Sequence, residues 1–365
     1  MRAAIYHGTE RISVEDIPQP VAGEGELLVK VMACAICGGD LRTYRFGHRA
    51  IHPPIVLGHE IAGVVVEVGK GVTRYHQGDR VVICPGIGCG ECSYCLAGNQ
   101  HMCYHRQTIA HHYDGGFAEY LKVPANAVRA GNVNFIPDEV DFLNASLTEP
   151  LACVINGQEA LHIQLGDTVA IIGAGPIGLL HAELARASGA GKIFLLNRSP
   201  ARLERAKVFG YDAYLRTDEG DPVQEILDLT HGRGANVVIV TAGNAEAQRM
   251  GILMTGKMGK VCMFAGLPKD APNLTFDVNF IHYRQISLYG TFSSAPRHNA
   301  LALELIRSRQ VNVAPILTHI VTLEDINLGL KFVQKRAGLR VAVVPHAEDL
   351  QVDMQNHPQL VFARA

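Results

Sequence analysis

From about residue 154 the chain alternates between apolar runs and helical segments, and this alternation narrows the possible folds more than any other feature. The runs TVAIIGAG, KIFLLN, NVVIVTAG, KVCMFAG and ISLYGTF are typical of strands buried on both faces. Between them lie stretches with helical periodicity, such as PIGLLHAELARASGA and PARLERAKVFG. The pattern predicts βαβ crossovers and a parallel sheet with helices on both faces.

A glycine-rich turn follows the first of these runs. Gly173, Gly175 and Gly178 lie in GAGPIG, together with Pro176 and Ile177, between a predicted strand and a predicted helix. Glycines at this spacing let the backbone approach a pyrophosphate at a helix N-terminus. We therefore predict a dinucleotide-binding loop, and the alternative is a glycine-rich turn without a ligand.

The end of the next strand bears on which dinucleotide is bound. Neutral Asn197 and cationic Arg198 lie about where an NAD site would carry a carboxylate for the ribose 2′-hydroxyl. An arginine suits the 2′-phosphate of NADP, whereas a carboxylate would repel it. The sequence thus favours NADP over NAD. In the alternative interpretation Arg198 is a solvated loop cation, and Ser199, before Pro200, is a helix N-cap.

The first 150 residues or so have a different pattern of apolar and turn-forming residues. Short runs rich in valine and isoleucine, such as ELLVKVMA, AGVVVEVG and DRVVICP, are punctuated by Gly, Pro and Asp. This spacing predicts an antiparallel β domain, and we expect a partly closed barrel. After about residue 296 one more helix, RHNALALELIRSR, and a strand-like run, LRVAVVP, precede a polar tail.

Four closely spaced cysteines indicate a metal site. Cys89, Cys92, Cys95 and Cys103 form a C-x2-C-x2-C-x7-C pattern. Four thiolates can surround one tetrahedral zinc ion, and the closed shell leaves no position for a substrate. We predict a structural zinc. The alternatives are unrelated thiols or an iron–sulfur cluster, whose usual spacings differ from this one.

A second set of metal-binding side chains has an open position. Cys37 precedes the pair His59 and Glu60 by 22 residues, and three ligands with an open fourth position are typical of a catalytic zinc. We expect Asp40 to accept the free ring N–H of His59; the alternative is a turn residue after two glycines. Glu149, in TEPLAC, is a further carboxylate, either part of this site or an acid at a helix start.

Charge and hydropathy bear on the kind of partner. A formal net charge of -2 and a pI near 6.8 give no basic face for nucleic acid or an anionic membrane. No run approaches the ~18 apolar residues of a membrane span, and the N-terminal stretch has no apolar core of signal-peptide length. We expect a cytoplasmic protein that binds a small molecule.

The segments CGGD, GHE, GDRV, DGGFAEY and GAGPIG, with the cysteine quartet, resemble the zinc-containing medium-chain dehydrogenase/reductase family, in particular its polyol (sorbitol), glucose and threonine dehydrogenases. The resemblance implies an α/β fold class, with a GroES-like β-rich catalytic domain over 1–153 and 296–365 and a Rossmann doubly wound parallel sheet domain over 154–295. It also implies two zinc ions per chain, Glu149 as an exchangeable fourth ligand of the catalytic ion, and a homodimer or homotetramer. The implied reaction transfers a hydride between a secondary alcohol and NADP or NAD.

The sequence departs from this family at the usual proton relay. Where the family carries a serine or threonine hydroxyl, two residues after the catalytic cysteine, this chain has Gly39; Arg42 stands where the liver-type branch has a histidine. We hypothesise that Glu149, or a metal-bound water beside it, accepts the substrate proton instead.

The substrate is expected to be a polyol, sugar or cyclitol. Residues expected to contact it are Arg42, Tyr44, Phe292 and Ser293, although packing or surface roles are equally compatible with these positions. Two other functions stay open. Arg42 could bind the anionic group of a phosphorylated polyol or a hydroxy amino acid, or the chain could be a cofactor-binding protein that has lost catalysis.

Overall fold

The computed structural model describes residues 1–350, 353, 355 and 357–364. The chain divides into two compact units, one formed by Met1–Ala152 with Ser293–Ala365 and the other by Cys153–Phe292. Among the described helices none is both long and apolar enough to cross a membrane.

The N-terminal part of the first unit consists of short strands and short helices. Its strands are β1 (Arg2–Gly8), β2 (Arg11–Asp16), β3 (Leu27–Ala35), β4 (Ile55–Val56), β5 (Glu60–Val68), β6 (Arg80–Ile83), β7 (Gly86–Ile87), β8 (Gln107–Thr108), β9 (Tyr120–Val123) and β10 (Val133–Phe135). Its helices are α1 (Gly38–Phe46), α2 (Ser93–Leu96), α3 (Ala125–Arg129), α4 (Phe142–Ala145) and α5 (Thr148–Glu159), the last of which continues into the second unit; a 3-10 turn spans Gln100–Met102.

The second unit contains a parallel sheet flanked by helices. Its strands are β11 (Thr168–Ile172), β12 (Lys192–Asn197), β13 (Ala213–Arg216), β14 (Ala235–Val240), β15 (Thr255–Met263) and β16 (Ser287–Gly290). Its helices are α6 (Pro176–Ala187), α7 (Pro200–Ala206), α8 (Pro222–Leu229), α9 (Ala245–Leu253) and α10 (Val278–Arg284), with a 3-10 turn at Lys207–Phe209. The strand order is β13-β12-β11-β14-β15-β16 and every pairing is parallel, so the predicted parallel sheet is confirmed.

One strand of this sheet is longer than the sequence pattern predicts. The apolar run KVCMFAG marks only the second half of β15, which begins at Thr255. The first half contains Gly256 and Gly259 together with Met258 at a φ of 58°, and the pairing with β14 shifts register there. Glycines and a left-handed residue weaken the apolar signal of a strand without preventing it from pairing.

The C-terminal segment returns to the first unit. It contains α11 (Pro296–Arg307), β17 (Leu317–Val321), α12 (Ile326–Lys335), β18 (Arg340–Val343) and β19 (Val361–Phe362), with 3-10 turns at Ala314–Ile316 and Ala347–Leu350. The predicted polar tail from residue 346 is described only in part, because residues 351, 352, 354, 356 and 365 lie outside the described residues.

In the large sheet of the first unit, β3 lies between β5 and β18. A large sheet has the order β10-β6-β5-β3-β18-β17-β19, with β9 also paired to β3; β2-β1-β4 and β7-β8 form smaller sheets. Antiparallel pairing joins β3 to β5, with Ala35 opposite Glu60, and joins β3 to β18. The chain therefore leaves β3 toward Cys37 next to the residues that enter β5 at His59.

Candidate metal centres and nucleotide loop

Cys37 is the N-cap of α1, and the Asp40 side chain completes its capping box. The Cys37 sulfur accepts a hydrogen bond from the Gly39 amide at 3.3 Å, and an Asp40 carboxylate oxygen accepts one from the Cys37 amide at 2.9 Å. Satisfying these amides lets a helix begin with two glycines, residues that otherwise disfavour helix. The turn interpretation of Asp40 is therefore wrong, because this residue is the third of a helix.

Asp40 also lies against the ring of His59. Its second carboxylate oxygen is 3.2 Å from Nδ1 of His59, and the Asp40 side chain is buried. Burial opposes the charged ring, but the charges of Asp40 and Cys37 outweigh it and raise the pKa of His59 well above its usual value. One carboxylate thus fixes both the start of α1 and the orientation of this imidazole, leaving Nε2 for another partner.

Three side chains with metal-binding atoms converge at this point. One atom each from Cys37, His59 and Glu60 lies within 4.8 Å of the others, so a sulfur, a nitrogen and an oxygen surround one position. The β3–β5 register produces this convergence, because Ala35 and Glu60 are paired. A soft thiolate, an imidazole and a carboxylate form a donor set that fits zinc.

Glu60 has a second charged neighbour that the sequence did not reveal. Its carboxylate is fully buried, and Nη2 of Arg340 lies 3.3 Å from Oε1. Arg340 is itself buried and donates from Nη1 to the carbonyl oxygen of Ile36 at 3.1 Å. Burial raises the pKa of Glu60 to about 7 against the opposing charge of Arg340, and the charge of Glu149 raises it further. Glu60 is therefore shared between the metal-binding cluster and a buried ion pair.

Glu149 occupies the first turn of α5 and is 8% exposed. Among the described residues, the close group of ligand atoms at this centre consists of Cys37, His59 and Glu60. Glu149 is near enough for its charge to act on Glu60 and on the buried thiol of Cys84. Its part as a fourth, exchangeable ligand stays a prediction.

The cysteine quartet forms a compact cluster of its own. The sulfur atoms of Cys89, Cys92, Cys95 and Cys103 lie within 4.8 Å of one another, and all are free thiols. Backbone amides donate to these sulfurs, from Cys89 to Cys103 at 3.2 Å and from Cys92 to Cys89 at 3.4 Å. Amide hydrogen bonds favour thiolate, and those around Cys92 lower the pKa of its thiol to about 6. Four sulfurs so arranged fit a closed tetrahedral zinc site.

The glycine loop in the second unit leaves no space for side chains at Gly173 and Gly178. A Cβ atom on Gly178 would lie 1.7 Å from the carbonyl oxygen of Gly173, and one on Gly173 would lie 2.3 Å from the hydroxyl of Thr241. Gly173 also has a φ of 120°, which disfavours other residues. Gly175 is the N-cap of α6, with Pro176 at its first position. The loop thus presents backbone at a helix N-terminus, as a pyrophosphate requires.

Asn197 and Arg202 lie beside this loop, and Arg198 follows Asn197 in the chain. The side-chain oxygen of Asn197 accepts a hydrogen bond from the Ala174 amide at 3.2 Å, whereas Arg198 is exposed. Arg202, which sequence reasoning missed, lies with Nη1 3.4 Å from the position of a Cβ on Gly175. The available signal in the sequence was its closeness to Arg198, which lies four residues earlier. Ser199 is the N-cap of α7, but its side chain makes no capping hydrogen bond.

The predicted substrate residues have different surroundings. Arg42 is exposed on α1, and Phe292 is 59% exposed. The Tyr44 hydroxyl donates to the Glu10 carbonyl at 3.2 Å and its ring packs against the hydrophobic core, so the contacts of Tyr44 are those of a packing residue. The Ser293 hydroxyl accepts a hydrogen bond from Nη2 of Arg106 at 3.0 Å. No motif in the sequence pointed to Arg106.

Comparisons with known proteins cover most of the chain. The alcohol dehydrogenase GroES-like domain matches residues 23–132, and the zinc-binding dehydrogenase domain matches residues 176–308. A sorbitol dehydrogenase of Halalkalibacterium halodurans is 34% identical over 344 residues, 93% of this chain and 97% of that relative. An L-threonine 3-dehydrogenase of Pyrococcus abyssi is 36% identical over 323 residues, 87% of this chain and 90% of that relative.

The solved structures that this chain resembles are also dehydrogenases. A zinc-binding dehydrogenase from Sinorhizobium meliloti 1021, bound to NADP, has a TM-score of 0.88 and 32% identity, covering 94% of this chain and 99% of that chain. A 2R,3R-butanediol dehydrogenase from Bacillus subtilis has a TM-score of 0.85 and 28% identity, covering 94% of this chain and 99% of that chain.

The chain belongs to the zinc-containing medium-chain dehydrogenase/reductase family, in the alcohol dehydrogenase superfamily. The predicted family and the fold class, a GroES-like domain with a Rossmann domain, are thereby confirmed. Within this superfamily it is a zinc-dependent alcohol oxidoreductase that uses a nicotinamide cofactor. The alternative of a protein without catalysis is set aside.

Proposed function

We propose that this enzyme oxidises a secondary alcohol of a polyol, sugar or cyclitol and uses NADP in preference to NAD. The observation that carries the proposal is the convergence of Cys37, His59 and Glu60 within 4.8 Å, in a chain 34% identical to a sorbitol dehydrogenase. Catalytic residues in this proposal lie in the segments 1–153 and 296–365, and the cofactor binds in 154–295.

Two zinc ions per chain fit the two clusters. Cys37, His59 and Glu60 would hold the catalytic ion, with Glu149 as exchangeable ligand, and the cysteine quartet would hold the structural one. When bound, the catalytic zinc supplies Lewis acidity and the nicotinamide supplies the hydride acceptor. Asp40 orients His59, and the quartet holds the segment from 89 to 103 together.

The proton of the substrate hydroxyl needs an acceptor from this chain. Gly39 offers no hydroxyl, and the nearest atoms to a Cβ placed there would be Cys37 Sγ at 3.6 Å and His59 Cε1 at 3.9 Å. The missing side chain thus leaves space beside two of the proposed ligands. Glu149 is the buried carboxylate on the first turn of α5, and we assign it proton acceptance.

The proposed activity is tested with the zinc-loaded enzyme and a panel of free polyols, aldoses and cyclitols. Reduced cofactor, followed by its absorbance, should appear with at least one class and should disappear when a chelator removes the metal. The corresponding ketose or keto-cyclitol is the expected product. Silence across the panel with zinc confirmed at both sites would contradict the proposal.

The preference for NADP rests on the charges beside the glycine loop. Asn197 carries no charge, and Nη1 of Arg202 lies 3.4 Å from the position of a Cβ on Gly175, the N-cap of α6. A hydrogen bond from Arg216 and its charge lower the pKa of Asp218, and the charge of the exposed Arg198 lowers it further. Two guanidinium groups without a carboxylate at Asn197 suit a 2′-phosphate better than a 2′-hydroxyl.

Removing the two arginines should shift the enzyme from NADP to NAD. We expect Arg198→Gln with Arg202→Gln to raise the KM for NADP by about 10- to 100-fold and to change the KM for NAD by less than about threefold, since only NADP carries the phosphate. Arg205→Gln is the matched control, an exposed arginine on the same helix. Equal losses with both cofactors would show that the arginines support the loop instead.

A homodimer or homotetramer and a cytoplasmic location stay predictions of the sequence.

A further inference from the structure

The C-terminal tail, whose role the sequence did not indicate, returns to the large sheet of the first unit. β19 pairs in parallel with β17, where Ile320 lies opposite Phe362, and the Ala363 amide donates to the Ile320 carbonyl at 2.9 Å. The side-chain amide of Gln359 donates to the Ala314 carbonyl at 3.1 Å. Backbone pairing and a side-chain contact thus hold the end of the tail against this unit.

A buried histidine of the tail contacts the N-cap of α4. His357 is 2% exposed, and its Nε2 lies 3.0 Å from one carboxylate oxygen of Asp141. The same oxygen accepts from the side chain of Asn144 at 2.8 Å, and the other oxygen accepts from the Asn144 amide at 2.7 Å, which caps the helix. Burial raises the pKa of Asp141, but hydrogen bonds from His357 and Asn144 outweigh it and bring the pKa below its usual value. Asp141 therefore links the tail to the start of α4 as a carboxylate.

A second residue of the tail contacts the same helix start. The amide of Phe142, the first residue of α4, donates to a carboxylate oxygen of Asp353 at 3.0 Å. The first amides of any helix lack a partner within the helix, so Asp353 satisfies a group that α4 cannot satisfy itself. A helix of four residues makes few hydrogen bonds of its own. Contacts from outside therefore determine where α4 lies, and the tail supplies two of them.

α4 leads directly into the helix that carries Glu149. Only Ser146 and Leu147 separate α4 from α5, and both are buried. The Leu147 amide donates to the Asn144 carbonyl at 3.0 Å, and the Leu151 amide donates to the Leu147 carbonyl at 3.1 Å. Because this connection is short, buried and hydrogen-bonded to both helices, it cannot absorb a shift of α4. Moving α4 therefore moves the first turn of α5, where Glu149 lies.

We propose that the C-terminal tail positions Glu149 for proton acceptance, with Asp141 and His357 as the positioning pair. The effect passes from the tail to the N-cap of α4, then from α4 to α5 and its first turn. Position matters because a proton acceptor must lie within hydrogen-bond reach of the substrate hydroxyl, and a displacement of about 1 Å can cost ~100-fold in rate. The inference rests on the proposed dehydrogenase function with Glu149 as its proton acceptor, and it gives the tail a role in that reaction.

The test measures kcat, KM and zinc content of the zinc-loaded enzyme, with its best substrate from the panel of polyols, aldoses and cyclitols. His357→Ala removes the contact with Asp141 and should lower kcat by about 10-fold or more. KM should change by less than about threefold, and both zinc ions should stay bound, because neither substrate nor metal loses a contact. Asp141→Ser should have a similar effect, since serine keeps the N-cap but offers His357 no carboxylate.

Two further variants separate the contact from a general effect of changing the tail. His357→Gln should keep most of kcat, because the glutamine amide can donate a hydrogen bond to Asp141 where Nε2 of the histidine does. Gln355→Ala changes an exposed residue of the same tail and is the matched control, with kcat expected to stay at the wild-type value.

Combination with Glu149→Gln decides whether the pair acts through Glu149. In that background His357→Ala should lower kcat by less than about threefold, because the carboxylate that it would displace is already absent. A general loosening of the fold would instead lower kcat by the same factor in both backgrounds. Asp141→Ser is combined in the same way, so the result does not depend on one variant, and melting temperatures show that each protein is folded in the assay.

Several results would overturn the inference while leaving the dehydrogenase function intact. These are a wild-type kcat in both His357→Ala and Asp141→Ser, equal losses in the two backgrounds, a change in KM or in zinc content instead of kcat, or the same loss in Gln355→Ala. A full kcat in Glu149→Gln would overturn the inference together with the proton-accepting role of Glu149. Absence of turnover by the wild-type enzyme across the whole panel would overturn the inference and the proposed function together.

Discussion

Cys37→Ser should lower kcat/KM by about 1000-fold or more and remove one of the two proposed zinc ions, while the fold persists. Loss of several kcal/mol of transition-state stabilisation by a Lewis acid corresponds to a change of this size. The fold should persist because Cys37 is the N-cap of α1, and serine is a favoured N-cap residue. Metal analysis, steady-state rates and the melting temperature check the three parts separately.

Glu149→Gln serves as the contrasting variant. Proton acceptance by this carboxylate predicts normal zinc content with kcat lowered by about 100-fold or more. A full kcat at neutral pH with normal zinc would rule out that role. If Cys37→Ser kept both zinc ions and full activity, the cluster of Cys37, His59 and Glu60 would not be the catalytic centre. The two variants thus test metal binding and proton transfer independently.

The strands and the glycine loop could be predicted from the sequence because their signals are local. The apolar runs of the parallel sheet and the spacing of Gly173, Gly175 and Gly178 lie within short segments, and both match the observed elements. The Cys37, His59 and Glu60 cluster is less local, yet its residue types are rare enough in combination to indicate a metal. The secondary structure at Asp40 was harder to predict from the sequence. The two glycines before it suggested a turn, whereas a capping box starts a helix there.

Arg340 and Arg106 could not be predicted, because each acts across distant parts of the chain. Arg340 meets Glu60 only because β18 pairs with β3, and that pairing is not encoded in either segment alone. Arg106 reaches Ser293 through the return of the C-terminal segment. An arginine in a sequence is most often a surface residue, so composition gives no warning of a buried one. What the sequence could not indicate was which residues these two arginines contact, rather than the secondary structure around them.

The second large effect is expected from Arg340→Met, which should lower the free energy of unfolding by about 3–5 kcal/mol. Both members of the ion pair are buried, with side chains 5% and 0% exposed, so without Arg340 the Glu60 carboxyl must either stay as an unpaired buried charge or take up a proton. The change also removes the hydrogen bond to the Ile36 carbonyl at the end of β3. Denaturant unfolding, followed by circular dichroism on metal-free and on zinc-loaded protein, measures this free energy of unfolding. Lys331→Met, at an exposed position on α12, is the control.

A double-variant cycle decides whether the loss belongs to the ion pair. Glu60→Gln removes the charge that Arg340 balances, so adding it to Arg340→Met should cost less than the sum of the two single changes by about 1–3 kcal/mol. Additive costs would mean that Arg340 stabilises the protein through Ile36 and packing alone. Arg340→Lys should fall between wild type and Arg340→Met, because an ammonium keeps the charge but cannot contact both Glu60 and the Ile36 carbonyl through a planar fork. Arg340 holds Glu60 in the cluster without a metal, so its loss should weaken zinc binding at Cys37 and His59 while leaving zinc bound at the cysteine quartet.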